Sequence, residues 1–183
     1  GKQALDANTT ADNNTAVGTA ALGANTTGAS NVAVGSCALL CNISGAENTA
    51  VGMNAGRLTT GGANVAVGHS ALEDNTSGAS NTALGREALH TNTTASNNVA
   101  VGKRALYLNT TGTTNTAVGQ NSLHSNTTAS DNTAVGAASL YANTEGTGNV
   151  AVGRQALVAN LTGSSNTAIG HIALCANTTG TCN

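Results

Sequence analysis

The chain has 183 residues and a formal net charge of −2; 8% of its residues are charged, 1% are aromatic, and Trp, Phe and Pro are absent. So few basic and aromatic side chains exclude a nucleic-acid binder, which needs a cationic surface and stacking rings, and no apolar run is long enough for a membrane-spanning helix. A conventional globule built on large side chains is excluded as well, which leaves the order of the residues as the source of structure.

That order is a repeat. Asn14, Asn31, Asn48, Asn64, Asn81, Asn98, Asn115, Asn132, Asn149 and Asn166 open ten complete copies of 17 residues, with one step of 16. Residues 1–13 form a partial copy ahead of them and Asn183 begins another, so residues 1–183 read as one repeat domain. By position, each copy runs Asn, Thr or Val, Ala, an aliphatic residue, Gly, two free positions, Ala or Ser, Leu, two free positions, Asn-Thr-Thr-Gly and two small residues. Every basic residue, every histidine and both tyrosines fall at the free positions, which marks these as the outside of the fold. Alanine holds the third position in all ten copies and leucine the ninth in all but the short one, where Gly56 replaces it, which marks these as the inside.

Within a copy the first element is a short strand, Thr-Ala-Val-Gly, with β-branched residues at positions two and four and alanine facing the other way. The stretch around Ala-Leu predicts a second strand, and Asn-Thr-Thr-Gly predicts a turn, because Asn and Gly tolerate left-handed backbone. Seventeen residues cannot bury enough to fold alone, so copies must stack. Helical repeats need about 30 residues or more per unit, whereas Gly or Asn interrupts every segment here. The expected fold is therefore all-β: a parallel β-solenoid, or β-roll, of about eleven 17-residue coils. At about 4.8 Å per coil this gives a rod on the order of 50 Å long.

Stacking turns each position into a column. The first-position asparagines are expected to form an amide ladder. The interior looks thin, a Val and a Leu per coil. The alanine column on the opposite face of the strand offers a flat surface for association with further copies, with burial inside one chain as the alternative. The fragments at the two ends together supply fourteen of seventeen positions of a coil, which predicts a head-to-tail filament subunit or a window cut from a longer fibre. No leader or initiator Met is visible, as expected of a mature or excerpted segment.

Three chemical signals recur or stand out. Asn-x-Thr/Ser occurs at Asn8, Asn13, Asn25, Asn42, Asn75, Asn92, Asn109, Asn126, Asn160 and Asn177, a set of candidate N-glycosylation sites whose Asn-Thr-Thr-Gly context is also good turn chemistry. Among the cysteines, Cys175 and Cys182 flank a turn and are the better candidate disulfide. Cys37 and Cys41 are roughly 13 Å apart in an extended strand and bond only if the chain bends or a second chain takes part. The histidines occupy two different columns. His90 and His124 share one, but lie two coils, or roughly 10 Å, apart, too far to share a metal ion. No catalytic triad, phosphate loop or paired carboxylate recurs, and eight acidic residues cannot furnish an aspartate per turn for calcium. The sequence reads as a non-enzyme with no cofactor. The one break in the repeat runs from Met53 to Gly62.

The unit Asn-Thr-Ala-Val-Gly-x-x-Ala-Leu, seen at Asn14–Leu22 and Asn115–Leu123, resembles the head repeats of trimeric autotransporter adhesins and repeats of phage and viral tail fibres. The resemblance spans the whole chain. It implies a left-handed parallel β-roll, three chains side by side, displayed outside a cell or virion. Adhesin heads use shorter repeats without the Asn-Thr-Thr-Gly insertion, and no neck or coiled coil appears here. The expected function is a structural subunit or segment of an extracellular fibre, or an adhesin-like rod, giving reach, surface coating or adhesion. Its expected partners are copies of itself, as a homotrimer or head-to-tail filament, and host or cell-surface glycans, with no nucleic acid and no membrane insertion. The alternatives are a receptor- or glycan-binding tail-fibre segment and an ice-binding protein.

Overall fold

The computed structural model describes residues 1–183. Each copy contributes one three-residue strand, from β1 (Thr15–Val17) to β10 (Thr167–Ile169), and the ten strands form a single parallel sheet in chain order. Equivalent positions pair throughout: Thr15 with Val32, Ala16 with Ala33, Val17 with Val34. The register survives the short copy, where β3 (Thr49–Val51) and β4 (Val65–Val67) still pair Thr49 with Val65, so the lost residue is absorbed in the turn half of the coil. The chain is a parallel β-solenoid of about 17 residues per coil, with no helices.

The expected second strand is absent. The Ala-Leu half of each coil is turn, and its backbone alternates in handedness: Ala20 and Leu22 have φ of 56° and 50°, Arg104 and Leu106 56° and 50°. The alternation aims successive N–H groups in different directions. Ala20 donates to Lys2 O of the preceding coil (2.8 Å), Leu22 to Ala38 O of the following one (3.0 Å), and Ala38 within its own coil to Gly35 O (3.4 Å). Bonds of this kind help hold the rod together, since only 18 of the 116 backbone hydrogen bonds join strand to strand. Left-handed backbone costs a leucine about 1–2 kcal/mol, which complete burial of its side chain, about 1.5–3 kcal/mol, offsets.

The strand also faces the opposite way from that expected. Its alanine points inward: Ala33, Ala50, Ala83, Ala100, Ala117, Ala134 and Ala151 are wholly buried, and they join the eighth-position alanines and ninth-position leucines in one continuous core. The second- and fourth-position Thr and Val point out. Inside the coil the strand shares space with a leucine and two columns of buried asparagine, which leaves room for a methyl group and no more. The alanine column is therefore core and not an association surface. Close stacking likewise fixes the fifth position as glycine: a Cβ on Gly35 would lie 2.4 Å from Gly52 O of the next coil, and its φ is 137°.

Candidate functional site

Two asparagine columns run the length of the interior. In the first-position column, each side-chain carbonyl accepts the backbone N–H of the next copy's asparagine, as in Asn115 N to Asn98 Oδ1 (2.9 Å), while Nδ2 donates across its own coil, as in Asn115 to Ala129 O (2.9 Å). Direct amide-to-amide bonds supplement these, for example Asn166 to Asn149 (3.1 Å). The twelfth-position asparagines form a second ladder: Asn126 Nδ2 donates to Asn109 Oδ1 (2.8 Å) and to Ala129 O (2.9 Å), and Asn143 Nδ2 in turn donates to Asn126 Oδ1 (3.1 Å). The short copy interrupts this second ladder. Thr59 takes the asparagine's place there, buried, with a hydroxyl that finds no partner.

This second ladder coincides with the sequons. Asn25, Asn42, Asn75, Asn92, Asn109, Asn126 and Asn160 are completely buried, and each donates Nδ2 to a carbonyl. A sugar on any of them has no room in the fold. Asn8 and Asn177, half-buried, also have Nδ2 engaged. Asn13 is the exception, exposed and without side-chain hydrogen bonds. The threonine pairs divide their work. In the pairs at Thr26, Thr93, Thr110 and Thr127 the first hydroxyl donates to the coil above, as Thr110 does to Thr127 O (3.0 Å), while the second, such as Thr111, faces solvent. The turn therefore presents no doubled threonine surface of the kind an ice binder uses.

The four cysteines are free thiols. Cys182 lies at the exposed seventeenth position with φ of 57°, and the turn between it and Cys175 closes around the Asn177 amide, which donates to Gly180 O (3.1 Å). Between Cys37 and Cys41 the chain does bend, but around the buried Ala38 and Leu39.

A cluster of charged and aromatic side chains lies on one outer stripe, built by the sixth, seventh, tenth and eleventh positions of the copies that begin at Asn48 through Asn132. Arg57 Nε donates to Glu73 Oε1 (2.9 Å); His90 Nε2 lies 3.5 Å from Glu73 Oε2, and its Nδ1, 3.7 Å from Asp74 Oδ2, is buried without a hydrogen bond. Glu87, nearly buried, is clasped by Arg86 and Arg104. The hydrogen bond from Arg104 is the main reason its carboxyl is held below the ordinary carboxylate range. Burial works to raise Glu73, but hydrogen bonds from Ser70 and Arg57 outweigh it and leave this carboxyl low as well. Above these pairs, His90, Tyr107, His124 and Tyr141 stack in sequence, with centroids 5.3, 5.3 and 4.9 Å apart, and the Arg104 guanidinium lies 5.4 Å from the Tyr107 centroid. Burial, and then the nearby Arg104 charge, push His124 below its ordinary value.

The shared column of His90 and His124 is visible in the sequence, and Tyr107 and Tyr141 continue it at the same spacing; the signal lies in position modulo 17. Tyr107 separates the two imidazoles, and neighbouring rings pack against one another along the column. No group of three or more His, Cys, Asp or Glu side chains is arranged to hold a metal ion. One surface notch, of about 190 Å³, opens where Gly23 interrupts the tenth-position column between Asp6 and Leu40. No helix is long and apolar enough to cross a membrane.

Neither a protein-family model, nor a curated protein, nor a solved structure matches the chain.

Proposed function

We propose that this chain is a structural rod: a subunit or segment of an extracellular fibre, or an adhesin-like stalk or head, whose work is reach, coating or adhesion at a cell or virion surface. Its uniformity carries the reading. Ten strands stay in register, one amide ladder runs the full length, and the single irregular copy is absorbed in the turn without opening a cleft. A binding or catalytic module departs from its repeat where its site is built; the one break in period here, Met53 to Gly62, opens no cleft. The resemblance to adhesin heads and tail fibres supports an external location and an assembly of copies, three side by side. We read the chain as non-catalytic and free of cofactors.

Self-association is the directly testable part. Sedimentation equilibrium of the purified chain across a hundredfold concentration range should give a mass that is a multiple of 17.6 kDa. A single-chain mass throughout would contradict the reading.

A further inference from the structure

Two columns along the turn side of the rod are exposed in every copy, the fourteenth and the seventeenth positions. The fold uses the side chains of neither. The thirteenth-position threonines donate their hydroxyls to the next coil, as Thr93 and Thr110 do, but no fourteenth-position hydroxyl makes a hydrogen bond, and Glu145 stands at that position in a turn closed as usual by Asn143 and Gly146. Both columns are therefore free to vary, and only one does. The seventeenth position holds eight residue types, among them Glu47, Ala63, Asp131 and Cys182, whereas the fourteenth is Thr or Ser in nine of the ten turns of full length. The unbonded hydroxyl even outlasts the bonded one: where Ile43 and Leu161 replace the thirteenth-position threonine, Ser44 and Thr162 keep the fourteenth. A hydroxyl that the fold does not need, retained where one that it uses is lost, points to a use outside the chain.

The surroundings narrow that use. The column completes Asn-x-Thr/Ser, but the asparagine amides are buried and bonded, so the acceptor within reach is the hydroxyl itself. Neighbouring hydroxyls are about 4.8 Å apart. Phosphate groups at that spacing, each with about −1.5 to −2 charge, would repel one another along the whole column; a neutral sugar would not. The hydroxyls also stand in single file, because the thirteenth-position hydroxyls beside them are engaged with the next coil, so they present no two-dimensional array to a crystalline surface.

We infer that the fourteenth-position hydroxyls are acceptors for O-linked neutral sugars, single or in short unbranched chains, delivered by a glycosyltransferase from an activated sugar diphosphate. In the transfer, Thr Oγ1 or Ser Oγ bonds to the anomeric carbon, the bond from that carbon to the diphosphate breaks, the diphosphate leaves with the electron pair, and the hydroxyl proton passes to a base of the transferase. The modification adds a covalent coat to the rod and is independent of how copies assemble. The test is peptide mapping of the chain isolated from its native source. Cleavage after Arg104 and Arg154 releases residues 105–154, which contain two fourteenth-position hydroxyls, Thr111 and Thr128, beside Thr110, Thr127 and Thr114 as internal controls. This peptide should carry sugar mass increments that mild alkaline elimination removes, and electron-transfer fragmentation should place them on Thr111 and Thr128 and leave the controls bare. The pair Thr111→Ala with Thr128→Ala, produced in the same source, should lose the increments. An unmodified peptide, sugar on the controls as often as on Thr111 and Thr128, sugar on Asn109 or Asn126, or phosphate in place of sugar would each overturn the proposal.

Discussion

Asn126 shows what a single residue does in this fold. It donates to Asn109 Oδ1 and Ala129 O and accepts from Asn143, so replacing it by alanine strands polar groups on three neighbours inside the rod. An unsatisfied buried group costs about 1–3 kcal/mol, and the expected loss for Asn126→Ala is about 2–5 kcal/mol, read by chemical denaturation. Thr128→Ala also abolishes the sequon, but its exposed side chain makes no hydrogen bond, so it should cost under about 0.5 kcal/mol. A comparable loss in both would mean that the amide ladder contributes little. The period alone exposed the first asparagine column. The second was equally periodic, but a sequon and a buried amide look alike until the direction of the side chain is known. That direction depends on the left-handed residues upstream, which sequence patterns do not reveal.

The coil is the element, and half of it was legible. Thr-Ala-Val-Gly alternates as a strand must, but alternation says only that Ala opposes Val; the volume left inside by leucine and two asparagines decides which faces in. The Ala-Leu half was misread because a leucine at φ near +50° runs against intrinsic preference. The hint was Gly56, the one residue that takes leucine's place, and it too has positive φ, 57°. The stacked column gives the coils from Asn81 to Asn132 a pH response. Burial and Arg104 hold His124 below its ordinary value, so the unfolded chain takes up this proton first. Its contribution to stability is whole above the unfolded imidazole value of about 6.5 and declines as pH falls below it, until the folded imidazole is also protonated. Glu87 and Glu73, both lowered, contribute above the ordinary carboxylate value and lose that contribution as pH falls through their own lower values. The melting temperature should therefore fall from pH 7 to pH 5, and His124→Gln should flatten that part of the profile while leaving the acid limb below pH 4 intact. An unchanged slope between pH 7 and pH 5 would remove His124 from the account.

The whole molecule is a rod with an inside of alanine, leucine and asparagine, one charged and aromatic stripe, and one uncharged sheet face. Its thin core is sufficient because backbone bonds join each coil to its neighbours at many points, and stability accumulates from one interface to the next along the axis. The stripe uses up its own chemistry in ion pairs and ring stacking. The sheet face carries no charge, and the rod as a whole is proposed to assemble with further copies into a fibre. Electron cryo-microscopy of the assembled protein tests this most directly. The account predicts coils stacked at about 4.8 Å in rods joined to further copies of the chain. Isolated rods would contradict it.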